Sequence, residues 1–140
     1  MVCTFFGHKD TLSLERDKLK QTIIKEIEEN KADTFYVGNH GNYDRIVFSV
    51  LKELKEAYPK ISISVVLAYL PKDNSDDLSY TVFPEGIEEV PKRFAINFRN
   101  KWMIERSDTV IAYVKHSFGG AAKFVDLARK KRKTVINIAE

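Results

Sequence analysis

Five short apolar runs, each parted from the next by a longer polar-rich stretch, constrain this chain more than any other feature of it. They are Met1 to Phe6, Thr34 to Val37, Ile61 to Leu70, Thr109 to Val114 and Thr134 to Ile138. Apolar residues at helical spacing fill most of the gaps. Leu19, Ile23, Ile24 and Ile27 follow a start signal at Thr11 or Ser13, with Glu15 and Asp17 in the first turns. Val47, Val50, Leu51, Leu54 and Tyr58 share one face of a second helix that Pro59 stops. A third helix is expected from Ala95 to Ser107, with Phe98, Trp102 and Met103 turned to the core. A fourth is expected from Gly120 to about Lys131. Ile61 to Leu70, the longest run and rich in Ile and Val, predicts a central strand buried on both faces. Pro71 to Ser79 reads as a loop, Tyr80 to Phe83 as a short extra strand and Pro84 to Pro91 as irregular. The order β-α-β-α-β-(β)-α-β-α-β predicts an α/β fold: an open, mainly parallel sheet with helices on both faces.

A chain of 140 residues is sized for one domain, here residues 1–140, with enough length to bury a real core. Its hydrophobic share of 44% and charged share of 31% belong to a globular protein, not a disordered one. The net charge of +3 is too mild to imply nucleic-acid binding, but it suits a small anionic ligand. Cys3 is the single cysteine, so an intrachain disulfide is excluded; it reads as a small buried hydrophobe in a reducing, cytoplasmic setting. No apolar stretch approaches the roughly 18 residues that would span a membrane. Lys9 and Asp10 follow the first run too closely for a signal peptide.

Parallel sheets bind ligands beyond the carboxyl ends of their strands, where strand order reverses. With the usual order 3-2-1-4-5, the reversal falls between the first strand and the one at Thr109 to Val114. Their exit loops are Gly7-His8-Lys9-Asp10 and His116-Ser117-Phe118-Gly119-Gly120, and Gly38 to Asp44 leaves the neighbouring strand. Strand, Gly-Gly, helix is a geometry that aims free backbone N–H groups at an anion. His8 can meet a phosphate or base, or bond a backbone carbonyl. His8, His40 and His116 lack the spacing of a metal site. Asp44 can accept from ribose hydroxyls or serve the helix dipole. Arg99 can clamp a phosphate bidentately. Glu105, six positions on, shares no helix face with it and reads as a surface residue. Trp102 can stack on a base or pack in the core. Arg129 to Lys133 complements a helix C-terminus, or touches nucleic-acid phosphates.

These residues also resemble a family. Phe6-Gly7-His8-Lys9-Asp10, Gly38-Asn39-His40-Gly41-Asn42-Tyr43-Asp44, Arg99-Asn100-Lys101-Trp102-Met103-Ile104-Glu105-Arg106-Ser107-Asp108 and Gly119-Gly120-Ala121-Ala122 are similar, in this order, to the motifs of the SLOG superfamily in its YpsA-like branch. That superfamily includes the SMF/DprA proteins and the LOG phosphoribohydrolases. The resemblance covers nearly the whole chain and implies a modified Rossmann fold that binds nucleotides or nucleotide-derived molecules. The ligand-binding residues it implies are Gly7, His8, Lys9, Gly38, Asn39, Gly41, Asp44, Arg99, Trp102, Ser117, Phe118, Gly119, Gly120 and Ala121. Against the catalytic motif of the LOG enzymes, Asp126 falls where their glutamate stands, with Arg99 as its partner. Phe118, Ala122 and Lys123 replace the proline, third glycine and threonine of that motif, which removes part of a phosphate cradle. Three functions follow as expectations. The first is binding, as a sensor or a sink, of a nucleotide or an ADP-ribose-derived signal, with no cofactor. The second is N-glycosidic cleavage of a nucleoside monophosphate by Asp126 and Arg99. The third is single-stranded DNA binding, which the mild charge argues against. Relatives of this kind often associate through helices, so the resemblance also implies a homo-oligomer.

Overall fold

β-Branched and aromatic residues suit a pleated surface buried between layers, and each apolar run forms a strand in the computed structural model, which describes residues 1–8, 16–69 and 80–139. The elements are β1 (Val2–Gly7), α1 (Arg16–Glu29), β2 (Thr34–Val37), α2 (Asn42–Ala57), β3 (Ser62–Val66), β4 (Thr81–Val82), α3 (Ala95–Glu105), β5 (Thr109–Tyr113), α4 (Gly120–Lys130) and β6 (Thr134–Asn137). Single 3-10 turns at Ile87–Glu89 and Lys92–Phe94 lead into α3. The described strands form one sheet in the order β4-β3-β2-β1-β5-β6, and every pairing is parallel. The fold is the expected α/β, Rossmann-like one.

Period-two alternation divides the strands between two cores. Phe5, Phe35, Val37 and Ile111 face α1 and α2, where Leu19, Ile23, Val47 and Leu51 cover them. Phe6, Val66, Val110 and Ala112 face α3 and α4, against Met103, Ile104, Phe124 and Ala128. Right-handed crossovers explain the split. The chain advances from β1 to β3 in one direction with its helices on one face, then crosses back to β5 and β6 with its helices on the other. The reversal lies between β1 and β5, with Gly7 opposite Tyr113, so the two strands end at the same level.

Two expectations are corrected. The run Ile61 to Leu70 is not a central strand: β3 covers only Ser62–Val66 and stands next to the edge strand β4. Ser62 is exposed and Ser64 half-buried there, so one face of β3 is only partly covered. The inward side of α3 is also less apolar than expected. Arg99 and Asn100 are buried beside Met103 and Ile104, whereas Phe98 and Trp102 are only half-buried. The expected helix start at Thr11 or Ser13, the loop Pro71 to Ser79, and Lys9 lie outside the described residues. Among the described residues, no helix is long and apolar enough to cross a membrane.

Candidate functional site

The exits of β1, β2 and β5 meet at one rim around a cavity of about 440 Å3. Gly7 and His8 contribute from β1, His40 and Asp44 from the β2 exit, and His116 and Phe118 to Ala121 from the β5 exit. Ile96, Arg99, Asn100 and Met103 of α3 line it as well, and Phe6 and Phe124 give it apolar wall. The cavity's place at the strand-order reversal follows from topology: α1, which follows β1, and α4, which follows β5, cover opposite faces of the sheet and leave a crevice where the two strands end.

Two of the exits start their helices in the same unusual way. Gly41, the N-cap of α2, has φ 91° and ψ 174°, and Gly119, the N-cap of α4, has φ 97° and ψ 173°. This conformation is essentially confined to glycine. Neither glycine offers a side chain to cap the helix. In α2 the first helical bond runs from Arg45 N–H to Gly41 O at 3.3 Å, and Asp44 Oδ2 accepts from His40 N–H, which precedes the helix, at 3.1 Å. In α4 the first helical bond runs from Lys123 N–H to Gly119 O at 3.1 Å. The amides of residues 120 to 122 precede it and have no intrahelical acceptor. A Cβ built on Gly120 would meet nothing within 4 Å, so the start of α4 is open.

Gly7 and Gly38 serve packing. A Cβ on Gly7 would run into the ring of Tyr43, which lies directly against that backbone. Tyr43 is 1% exposed, and its hydroxyl donates to Ile111 O at 2.9 Å, tying α2 to β5 beneath the rim. A Cβ on Gly38 would stand 2.8 Å from Asp44 Oδ2 and 3.0 Å from Arg99 Nη1. The missing side chain therefore lets carboxylate and guanidinium converge over the backbone of the loop.

Arg99 is 2% exposed. Its Nε donates to Asn100 Oδ1 at 2.7 Å, and its Nη1 to Val66 O at 2.9 Å and Asn39 Oδ1 at 3.3 Å. Its Nη2 stands 3.4 Å from His40 Nδ1, which must act as the acceptor because a guanidinium only donates. Four of the five N–H groups are thus committed to the protein, and a bidentate phosphate clamp would require some of them to be released. Arg99 is first a tie between α3, the β3 exit and the β2 exit loop.

Burial raises the Asp44 carboxyl to about 6, against the opposing pull of the His40 amide and of Arg99. A carboxyl raised in this way holds its proton in the folded state where the unfolded chain has lost it. Its contribution to stability is complete below the ordinary carboxylate range and is lost as pH rises to about 6. His40 acts with the opposite sign. Burial, then Arg99, lowers its pKa, so stability falls as acidification protonates the unfolded imidazole first.

The remaining histidines form a column of rings. His8 stacks on His116 with centroids 3.8 Å apart, and His116 stacks on Phe118 at 3.9 Å. His8 Nε2 accepts from Lys115 N–H at 3.0 Å, and His116 Nδ1 donates to Phe118 O at 3.0 Å. His8 thus bonds a backbone amide as acceptor where a bond to a carbonyl was one expectation. Among the described residues, no group of three His, Cys, Asp or Glu side chains is placed to hold a metal ion.

Several expected site residues lie elsewhere. Gly38, Asn39 and Gly41 shape the β2 exit loop but do not line the cavity. Trp102 packs edge-on to Tyr36 at 5.2 Å, with the Arg106 guanidinium 4.2 Å above its ring, and is also outside the cavity. Glu105 is a surface residue, 3.7 Å from Lys131. Ser117 and Asp126 line a separate depression on the outer side of α4, and Asp126 stands 3.8 Å from Arg129. Asp126 and Arg99 therefore do not share the cavity. Sequence reasoning missed Ile96 and Asn100. The signal was an apolar stripe on α3, positions 96, 99, 100 and 103, interrupted by an Arg and an Asn at the positions that face inward. No family model matches the chain, and no curated protein matches it.

Proposed function

We propose that this protein binds a small anionic nucleotide, or a molecule derived from one such as an ADP-ribose-based signal, at the rim between β1 and β5, and holds it without turning it over. The observation that carries this reading is the open start of α4 at the edge of the cavity. Unbonded amides and the positive end of a helix dipole stand there beside Gly120, where no side chain blocks approach. The apolar walls suit a base or ribose, and the mixed lining suits an orienting set of hydrogen bonds. The likeness of the rim loops to SLOG motifs points the same way. Sensing or sequestration fits the chain better than hydrolysis, because the two candidate catalytic residues line different depressions.

Titration calorimetry with AMP, ADP and ADP-ribose tests the proposal, and binding of none of them would end it. Gly120→Ala sharpens the test. The new methyl meets no protein atom and suits a helix start, so the melting temperature should stay within about 2 °C of the parent. The same methyl obstructs a phosphate approaching the main chain, and affinity should fall about tenfold or more.

A further inference from the structure

A groove adjoins the cavity at Phe118. This second depression, of about 540 Å3, shares Phe118 and Gly119 with the first and is otherwise lined by Lys101, Ser117, Lys123, Asp126, Leu127 and Lys130. Phe118 is 69% exposed. A single exposed apolar residue is ordinary; this one is set apart by what holds it. It ends the column His8–His116–Phe118, whose planes diverge by only 13° and 18° and whose imidazoles are fixed by bonds to the main chain at 115 and 118. His116 lines the inner cavity only, whereas Phe118 lines both. Phe118 thus stands between the inner cavity and the depression that the lysines line. Among the described residues, no carboxylate stands within salt-bridge distance of Lys101, Lys123 or Lys130, since Asp126 pairs with Arg129. The Lys123 ammonium lies 5.5 Å from the Phe124 ring centroid.

A rigidly presented aromatic face beside three unneutralised cations is the chemistry that recognises a planar ring carrying a phosphate. We propose that this groove is an outer subsite for a second nucleotide unit, with Phe118 as the stacking platform and Lys101, Lys123 and Lys130 as phosphate partners. The ligand class is then a dinucleotide that straddles Phe118. This inference rests on the reading of the inner cavity given above and adds the outer half of the ligand.

The test compares AMP with diadenosine diphosphate by calorimetry. The parent protein should bind the dinucleotide about tenfold tighter or more. Phe118→Ala should weaken the dinucleotide about tenfold, and Phe118→Trp should restore it. Exchanging Lys101, Lys123 and Lys130 together for Gln should weaken the dinucleotide and flatten its salt dependence, while AMP affinity changes less than about twofold. These positions are exposed, and thermal melts should show each variant folded. Dinucleotide binding no tighter than AMP, or unchanged in Phe118→Ala, overturns the outer subsite and leaves the inner one standing. Failure of the parent to bind either probe overturns both.

Discussion

Gly7→Ala is expected to cost about 3 kcal/mol or more, a large part of what a domain of this size has to lose. The nearest atoms to the added methyl would be Cγ, Cδ2 and Cδ1 of Tyr43, the farthest of the three at 2.8 Å. Neither partner has room to yield. Gly7 is paired with Tyr113 in the sheet, and the Tyr43 ring is stacked near Tyr113, at 6.3 Å, with its hydroxyl bonded to Ile111 O. Moving the ring sacrifices that buried hydrogen bond, and leaving it in place forces β1 away from α2. Urea unfolding measures the loss. Adding Tyr43→Leu, which removes the ring, should recover part of it and identifies the clash as the cause. A Gly7→Ala protein within about 1 kcal/mol of the parent would refute the packing described at the rim.

Arg99→Met should be comparably severe, about 3–5 kcal/mol, because it leaves the partners of a buried cation without it. Val66 O loses its donor from the guanidinium, as do Asn39 Oδ1 and Asn100 Oδ1. The effect should also carry a pH signature. Without the guanidinium, Asp44 loses one of the two influences that hold its carboxyl down, so its pKa moves further up. The share of stability that Asp44 contributes at acid pH, lost by about pH 6 in the parent, should persist to higher pH in Arg99→Met before it is lost. Adding Asp44→Asn should flatten that part of the profile, since an amide does not titrate but still accepts from His40 N–H. Chemical unfolding at about pH 4.5, 6 and 7.5 separates the cases. A purely structural loss, equal at every pH, would contradict the account of Asp44.

Much of this was legible because it follows from strand order. Runs such as Thr34 to Val37 and Thr109 to Val114, with helices between them, fix a parallel sheet, and the sheet fixes where β1 and β5 diverge. The meeting of Gly7, His40, Gly119 and Gly120 at one rim follows from that. Glycine itself was ambiguous. In the sequence Gly7 and Gly120 look alike, yet one is required by a tyrosine packed against it and the other faces open space. The difference depends on Tyr43, which is far from Gly7 in the chain and close to it only after folding. Arg99 was legible as a site residue but not as a buried tie, because its four acceptors come from three separate segments. Trp102 drew attention as the larger aromatic. Side-chain direction on α3 turns it toward Tyr36, and the ring at the mouth of the cavity is Phe118.

An anionic nucleotide docked on main-chain amides where β1 and β5 part should perturb those amides before any others. Backbone amide NMR during a titration with AMP tests it most directly. The account predicts that the largest shifts fall on Gly119, Gly120, Ala121 and Ala122, with smaller ones on His8 and His40, and that β4 and the C-terminal half of α2 stay unmoved. Shifts centred instead on the depression lined by Phe83, Ile87 and Val90, or no shifts at saturating AMP, would contradict it.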